Sequence, residues 1–143
     1  MTLNKFVFLW GSMTEPYFEE MSWDEGSEHN PFSCFITDGY GRKINIDPHW
    51  HYYIEMLYSI EGQAQVVLAG KRYALNQGDL ALISAREVHS IYTEQDRDTR
   101  YIVVKFNPEV LYTTTRTIFE SKYVLPFTMA SSAYQKIKKG KYR

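Results

Sequence analysis

The sequence predicts an all-β domain, a sandwich or small barrel built from short strands. Runs rich in β-branched and aromatic residues recur from about residue 33 to residue 106, with glycine-, asparagine- and aspartate-containing turns between them. Aromatic residues make up 16% of the 143 residues, and such residues favour strands. Short strands at regular spacing with turn signals between them are typical of sandwiches and barrels.

The predicted strands follow one another at short intervals. They lie at residues 33–37, 43–46, 52–60, 63–68, 71–75, 79–84, 89–93 and 101–106. Strands 63–68 and 71–75 form a predicted hairpin around Ala69-Gly70. Ala64, Val66 and Leu68 share one face of the first of these two strands, and that apolar face is expected to be buried.

The segments on either side lack this pattern. Residues 1–30 combine aromatic and acidic residues without a sustained period, apart from a strand candidate at 6–10, and predict an arm that covers the barrel. Asn107 followed by Pro108 is typical of a helix start, so a short helix is expected at 108–112. The prediction is a single domain over 1–143.

Charge and cysteine content narrow the function classes. Five of the 16 Lys and Arg residues lie in the last eight positions, so residues 1–135 carry a net charge of −6. Such an acidic body provides no surface for nucleic acid, which requires a clustered basic face. No apolar stretch is long enough to span a membrane, and no signal peptide is recognisable. The single cysteine, Cys34, cannot form an internal disulfide and is expected to be a small buried residue, so a reducing cytoplasm is favoured.

One short segment contains most of the residues that could bind a metal. His49, His51, Tyr53 and Glu55 alternate along the start of a predicted strand, so their side chains are expected to share a face. His89 begins a later strand. Three imidazoles and one carboxylate can hold octahedral iron, manganese or nickel with open positions, or tetrahedral zinc. Two histidines alone would indicate no more than hydrogen-bonded core residues, so the prediction depends on the four ligands together.

These residues resemble the two motifs of the cupin superfamily. The matching positions are His49, His51, Glu55 and Gly62 in the first motif, and Gly78 and His89 in the second. Ser84 and Arg86 stand where the second motif has proline and glycine. The resemblance covers roughly residues 41–106 and implies a cupin double-stranded β-helix, a jelly-roll barrel. To this barrel the sequence adds the short helical C-terminal segment.

A narrower resemblance is to the N-terminal effector-sensing domain of AraC-type transcriptional regulators. It is carried by the residues at 49–55, Leu-Tyr-Ser-Ile-Glu-Gly at 57–62, and the stretches 73–83 and 87–89. The resemblance implies a 1–30 arm, a 31–106 barrel core and a 107–143 segment leading to a DNA-binding domain with two helix-turn-helix motifs beyond Arg143. It also implies a helical linker used for dimerisation, which leaves a homodimer open.

Two functions are compatible with these observations. The first is a sensor without catalysis, which binds a small effector such as a sugar or related metabolite in the barrel and controls DNA binding by the C-terminal domain. Aromatic faces beside a few polar groups suit such a ligand. The candidate ligand-binding residues are His49, His51, Glu55, His89, Tyr53, Trp10, Tyr40 and Arg42.

The second function is a stand-alone metal-dependent cupin enzyme, a dioxygenase or sugar isomerase. Zn, Ni, Mn or Fe would be held by the three histidines and Glu55 and would act as a Lewis acid or bind oxygen. The altered second motif and the lack of a further acid–base group favour the sensor. We therefore expect no catalytic residue, and a metal that is optional.

Overall fold

The computed structural model describes residues 15–21, 32–94 and 98–111, together with the backbone of 135–137, and these form ten strands and one short helix. The strands are β1 (Tyr17–Phe18), β2 (Phe32–Asp38), β3 (Asn45–Trp50), β4 (Ile54–Glu61), β5 (Gln63–Leu68), β6 (Lys71–Asn76), β7 (Leu80–Ile83), β8 (His89–Thr93), β9 (Arg100–Phe106) and β10 (Gln135–Ile137). The helix is a 3-10 turn at Pro108–Leu111. No helix in these ranges is long and apolar enough to cross a membrane.

The strands form two five-stranded sheets. The first has the order β1-β3-β8-β5-β6 and the second the order β10-β7-β4-β9-β2. All neighbouring strands are antiparallel except β1, which runs parallel to β3. The chain changes sheet at each step from β2 to β5 and again at each step from β6 to β9. This alternation is that of a jelly roll, and the predicted double-stranded β-helix is confirmed.

The apolar core lies between the two sheets. Its fully buried members come from both of them and include Leu57 and Ile83 of the second sheet and Val66, Leu75 and Ile91 of the first. In β5 the buried residues alternate with partly exposed ones, and the buried face is the predicted one. Period-two alternation fixes the inward face of this strand because its other face points to solvent.

The predicted strand at 52–60 begins too early. β3 continues through Pro48 to Trp50, the chain bends at 51–53, and β4 starts only at Ile54. Pro48 is tolerated in β3 because the pairing of β3 with β8 is irregular between Ile46 and His49, where a ladder hydrogen bond is not required. The bend moves the chain from the first sheet to the second. Hydrophobic alternation along the sequence does not predict such a change of sheet.

The ends of the barrel core differ from expectation in two respects. Cys34 is exposed, because β2 lies at the edge of its sheet and pairs only with β9. The predicted helix at 108–112 is a 3-10 helix, and the Asn107 side chain caps it by accepting a hydrogen bond from the Glu109 amide at 2.9 Å. The strand candidate at 6–10 lies outside the described residues.

Candidate functional site

Four potential metal ligands meet inside the barrel. His49 lies in β3, His51 in the bend that follows, Glu55 in β4 and His89 at the start of β8. One ligand atom from each residue lies within 4.8 Å of the others, and all four residues are buried. We call this group the histidine cluster. The structure brings the predicted set together, and its occupation by a metal stays a prediction.

The cluster is assembled differently from the single strand face that alternation suggests. His49 and His89 are directly paired across β3 and β8 in the first sheet, and their ring centroids are 4.1 Å apart. Glu55 belongs to the second sheet. Tyr53, Ile54 and Glu55 are buried in succession, which a regular strand with one exposed face would not allow. The crossing between sheets therefore brings the carboxylate to the imidazoles.

Each imidazole of the cluster is oriented by a backbone carbonyl. The Nδ1 atoms of His49, His51 and His89 all lie 2.9 Å from a carbonyl oxygen two residues away in the chain. A carbonyl can only accept, so each Nδ1 carries the proton and donates it. In a neutral ring the Nε2 atom then keeps its lone pair, the form in which histidine binds metals.

The Nε2 atoms then face a carboxylate rather than a donor. The distance from Glu55 Oε2 is 3.0 Å to His51 Nε2 and 3.7 Å to His89 Nε2. His89 Nε2 is buried and has no hydrogen-bond partner among the described residues. Lone pairs on both sides of such contacts repel each other unless a cation lies between them. The arrangement therefore fits a divalent metal, which would accept these lone pairs and neutralise the carboxylate.

The surroundings of the cluster favour a neutral His49 and an ionised Glu55. Burial, together with the neighbouring His89, lowers the pKa of His49. Burial alone would raise the pKa of Glu55, but hydrogen bonds from His51 and His89, when their rings are doubly protonated, and the ammonium of Lys105 hold it well below its usual range. Both states are those that a metal ligand must adopt.

A carboxylate from the N-terminal segment reaches the same interior. β1 pairs with the end of β3, and the Glu19 amide donates to the carbonyl of Trp50 at 2.9 Å. The Glu19 carboxylate accepts hydrogen bonds from Lys105 Nζ, at 2.7 and 3.0 Å, and from the hydroxyl of Tyr53. Its Oε2 lies 3.7 Å from His49 Nε2. The segment predicted to cover the barrel therefore contributes a polar group to it.

Lys105 and Tyr53 are the barrel residues that donate hydrogen bonds to Glu19. Lys105 is 9% exposed and continues the inward row of β9 formed by Tyr101 and Val103. Tyr53, a predicted ligand contact, stacks on His51 with ring centroids 3.8 Å apart. Burial and the Glu19 carboxylate raise the pKa of its phenol, so the hydroxyl is a donor.

Sequence reasoning missed Glu19 and Lys105 as site residues. The signal for Lys105 was a cation at an inward position of a predicted strand, after Tyr101 and Val103. Glu19 carried no signal beyond the acidic character of its segment.

Two other predicted positions are not brought to the cluster. Tyr40 and Arg42 are exposed in the turn after β2, where Gly41 bonds to Asp98 beside the start of β9. The cluster lies beside the other end of that strand, where Lys105 pairs with Glu55. Trp10 lies outside the described residues.

A surface cavity of about 570 Å³ borders the first sheet. Its lining includes Asn45, Asp47, Val67, Ser90 and Tyr92. The lining also includes His89 of the histidine cluster and Pro16 beside β1, so the cavity borders the site.

Comparison with known proteins gives one family. The family model described as an AraC-like ligand binding domain matches residues 32–138, and no curated protein sequence matches significantly. KdgF from Halomonas sp. is 21% identical, with a TM-score of 0.49, over 55% of this chain and 72% of that one. A Cupin 2 conserved barrel domain protein from Salinispora arenicola is 20% identical, with a TM-score of 0.45, over 60% and 70% of the two chains.

Fatty-acid-bound ToxT from Vibrio cholerae is also similar, at 12% identity and a TM-score of 0.44. The match covers 63% of this chain and only 36% of the ToxT chain. The family model spans the complete histidine cluster and well over half of the sequence. This chain therefore belongs to the AraC-like ligand binding domain family and folds as a cupin barrel.

Proposed function

We propose that this chain is the ligand-sensing domain of a cytoplasmic AraC-type transcriptional regulator. The observation that carries the proposal is the family match over residues 32–138, which includes every described strand except β1. A small effector would bind inside the barrel and alter DNA binding by a C-terminal helix-turn-helix domain. DNA would be contacted through that domain alone, and the linker before it would form the dimer.

The site has the composition expected of a binding pocket. Ligand sites are mostly apolar, with a few polar groups that orient the ligand. Here Lys105, Tyr53 and Glu19 provide such groups beside an apolar barrel interior. Catalysis is not needed for this role.

Effector binding would be transmitted through β1. This strand has only two residues and pairs with β3 at Tyr17 and Phe18. A ligand that reached Lys105 would meet Glu19 first, so bound and free states would differ in how the segment 15–21 is held. Such a ligand shifts the population of the two states by its difference in affinity for them.

The intact mass of the protein purified from its own cells tests the proposal. We expect a mass above 16.9 kDa by roughly a further 100–150 residues, the size of one more domain. A native mass of 16.9 kDa would refute a regulator with its DNA-binding domain on the same chain.

A metal-dependent cupin enzyme is the second candidate, and the three oriented imidazoles beside Glu55 favour it. His49, His51, Glu55 and His89 would hold Zn, Ni, Mn or Fe, and the ion would supply Lewis-acid chemistry. Lys105 and Tyr53 would then hold the anionic end of a substrate. A native mass of 16.9 kDa together with stoichiometric metal would make this candidate the leading one.

A further inference from the structure

Lys105 and Tyr53 form a two-residue site for a carboxylate, which we call the carboxylate clamp. Both belong to the barrel, Lys105 in β9 and Tyr53 in the bend before β4. Their hydrogen-bond acceptor, the carboxylate of Glu19, comes from outside the barrel on β1. The barrel thus presents the donors, and a separate short segment supplies the anion.

The barrel itself does not satisfy these donors fully. The nearest barrel carboxylate oxygen, Glu55 Oε2, lies 3.6 Å from Lys105 Nζ, which is beyond a good hydrogen bond, and it also contacts His51 and His89. A buried ammonium without close acceptors is unfavourable. The clamp therefore requires an anion, and Glu19 provides one.

The connection that holds Glu19 in place is small. Within the described residues it consists of the pairing of Tyr17 and Phe18 with β3, the bond from the Glu19 amide to Trp50, and ring contacts such as Tyr17 on His49. The Glu19 side chain is 32% exposed, whereas that of Lys105 is 11% exposed. The clamp consequently lies at the boundary of the barrel interior, where a ligand can reach it.

We propose that the ligand of this domain is a small carboxylate that replaces the side chain of Glu19 on Lys105 and Tyr53. A ligand carboxylate would make the same hydrogen bonds that Glu19 makes, so the exchange loses no acceptor for either donor. The rest of the ligand would gain contacts with the barrel, and β1 would be released from the end of β3. The inference rests on the proposed function and names its ligand class.

Chemical rescue tests the clamp directly. Glu19→Ala removes the internal carboxylate and leaves Lys105 and Tyr53 without it. Sodium acetate at 100 mM should then raise the thermal midpoint of this variant by about 3 °C or more over equal sodium chloride, for a weak affinity of about 10 mM. The wild type and Glu20→Ala, the matched exposed neighbour, should shift much less because Glu19 fills the clamp.

The ligand class is tested by the choice of probe. Acetamide has the shape of acetate without the charge, and inorganic phosphate is an anion of a different shape. Neither should stabilise Glu19→Ala as acetate does. Equal stabilisation by phosphate would overturn the carboxylate class, and no stabilisation by acetate would overturn the clamp. Glu19→Ala/Lys105→Gln, which also removes the ammonium, should lose the acetate effect.

Release of β1 is measured on the wild-type chain, which avoids any variant that does not fold. Hydrogen exchange of the Glu19 amide, bonded to Trp50, should accelerate with saturating hexanoate and remain unchanged with hexanol. Binding of hexanoate without faster exchange would refute the displacement. These results concern the barrel alone, so they stand apart from the native mass, which decides whether the protein is a regulator.

Discussion

Nε2 of His51 lies 3.0 Å from Oε2 of Glu55, although the Nδ1 of the same ring is 2.9 Å from a carbonyl oxygen. The proton that the carbonyl requires on Nδ1 is therefore unavailable for Glu55, unless the ring is doubly protonated. A metal ion between Nε2 and Oε2 would satisfy the same contact with a neutral ring. The pair thus indicates a cation site rather than an ordinary histidine–carboxylate hydrogen bond.

Metal binding should depend on the histidine cluster. His49→Ala/His51→Ala removes two of the four predicted ligands and should abolish tight binding of Zn²⁺ or Ni²⁺, measured by metal content after dialysis. For the wild type, metal at 100 times its dissociation constant should raise the free energy of unfolding by about 2.7 kcal/mol.

His29→Ala is the control for metal binding, because it removes the remaining histidine of the chain. Its metal content should equal that of the wild type. Full metal retention by the double variant, with an unchanged circular dichroism spectrum, would show that the cluster is not the metal site.

Gly62 should not tolerate a side chain. Its φ is +72°, and an added Cβ would lie 2.2 Å from the carbonyl oxygen of Asp98 and 2.8 Å from Thr99 Oγ1. Gly62→Ala should therefore lower the free energy of unfolding by about 3 kcal/mol or more, combining backbone strain with a steric clash. Urea denaturation measures the change.

Gly70 provides the comparison for Gly62. Its φ is +77°, but an added Cβ would meet nothing within 4 Å. Gly70→Ala should cost only about 1 kcal/mol, the strain of the left-handed conformation. Equal losses for the two variants would mean that the contact with Asp98 does not constrain the structure.

Arg86 occupies a conformation that favours glycine. Its φ is +66°, at the position where the cupin second motif has glycine. Its guanidinium lies 5.5 Å from the ring centroid of Tyr52, a contact worth about 0.5–1 kcal/mol. Arg86→Ala loses that contact and keeps the strain, whereas Arg86→Gly loses the contact and relieves the strain.

The glycine variant at position 86 should therefore be more stable than the alanine variant, by about 1 kcal/mol in urea denaturation. This order is the reverse of that in ordinary secondary structure, where alanine is favoured over glycine. An alanine variant at least as stable as the glycine variant would contradict the assigned backbone conformation.

Tyr101 should make the fold sensitive to alkaline pH. Burial raises the pKa of this phenol to about 12 from its ordinary value of 10.0. The folded state thus favours the protonated phenol. The contribution of this group to stability is complete below pH 10 and is lost as the pH rises to 12, because the phenol ionises in the unfolded chain before it does so in the folded chain. The loss is on the order of 2–3 kcal/mol.

Tyr101→Phe should flatten this part of the stability profile, measured by urea denaturation between pH 9 and 12. Tyr58→Phe removes a phenol that is 44% exposed and should leave the profile unchanged. An equally steep decline in Tyr101→Phe would assign the alkaline sensitivity to other groups.

The local sequence pattern was sufficient to predict much of the barrel. β5 and β8 have the predicted bounds, and the inward face of β5 is the predicted one. The inward face of β5 follows from alternation between neighbouring residues, because only one face of that strand is buried. β8 is buried along most of its length, and its bounds follow from the turn residues that flank it in the sequence. The members of the histidine cluster were also predicted, since their spacing resembles the cupin motifs.

The relation between distant segments was decided by tertiary structure. Glu19 and Lys105 are 86 positions apart, and their contact exists because β1 joins the first sheet while β9 lies in the second. The transfer of the chain between sheets at 51–53, which brings Glu55 to the histidines, likewise has no periodic signal. Periodicity reports which side of a strand is buried, whereas the partner met on that side depends on how the whole chain closes into a barrel.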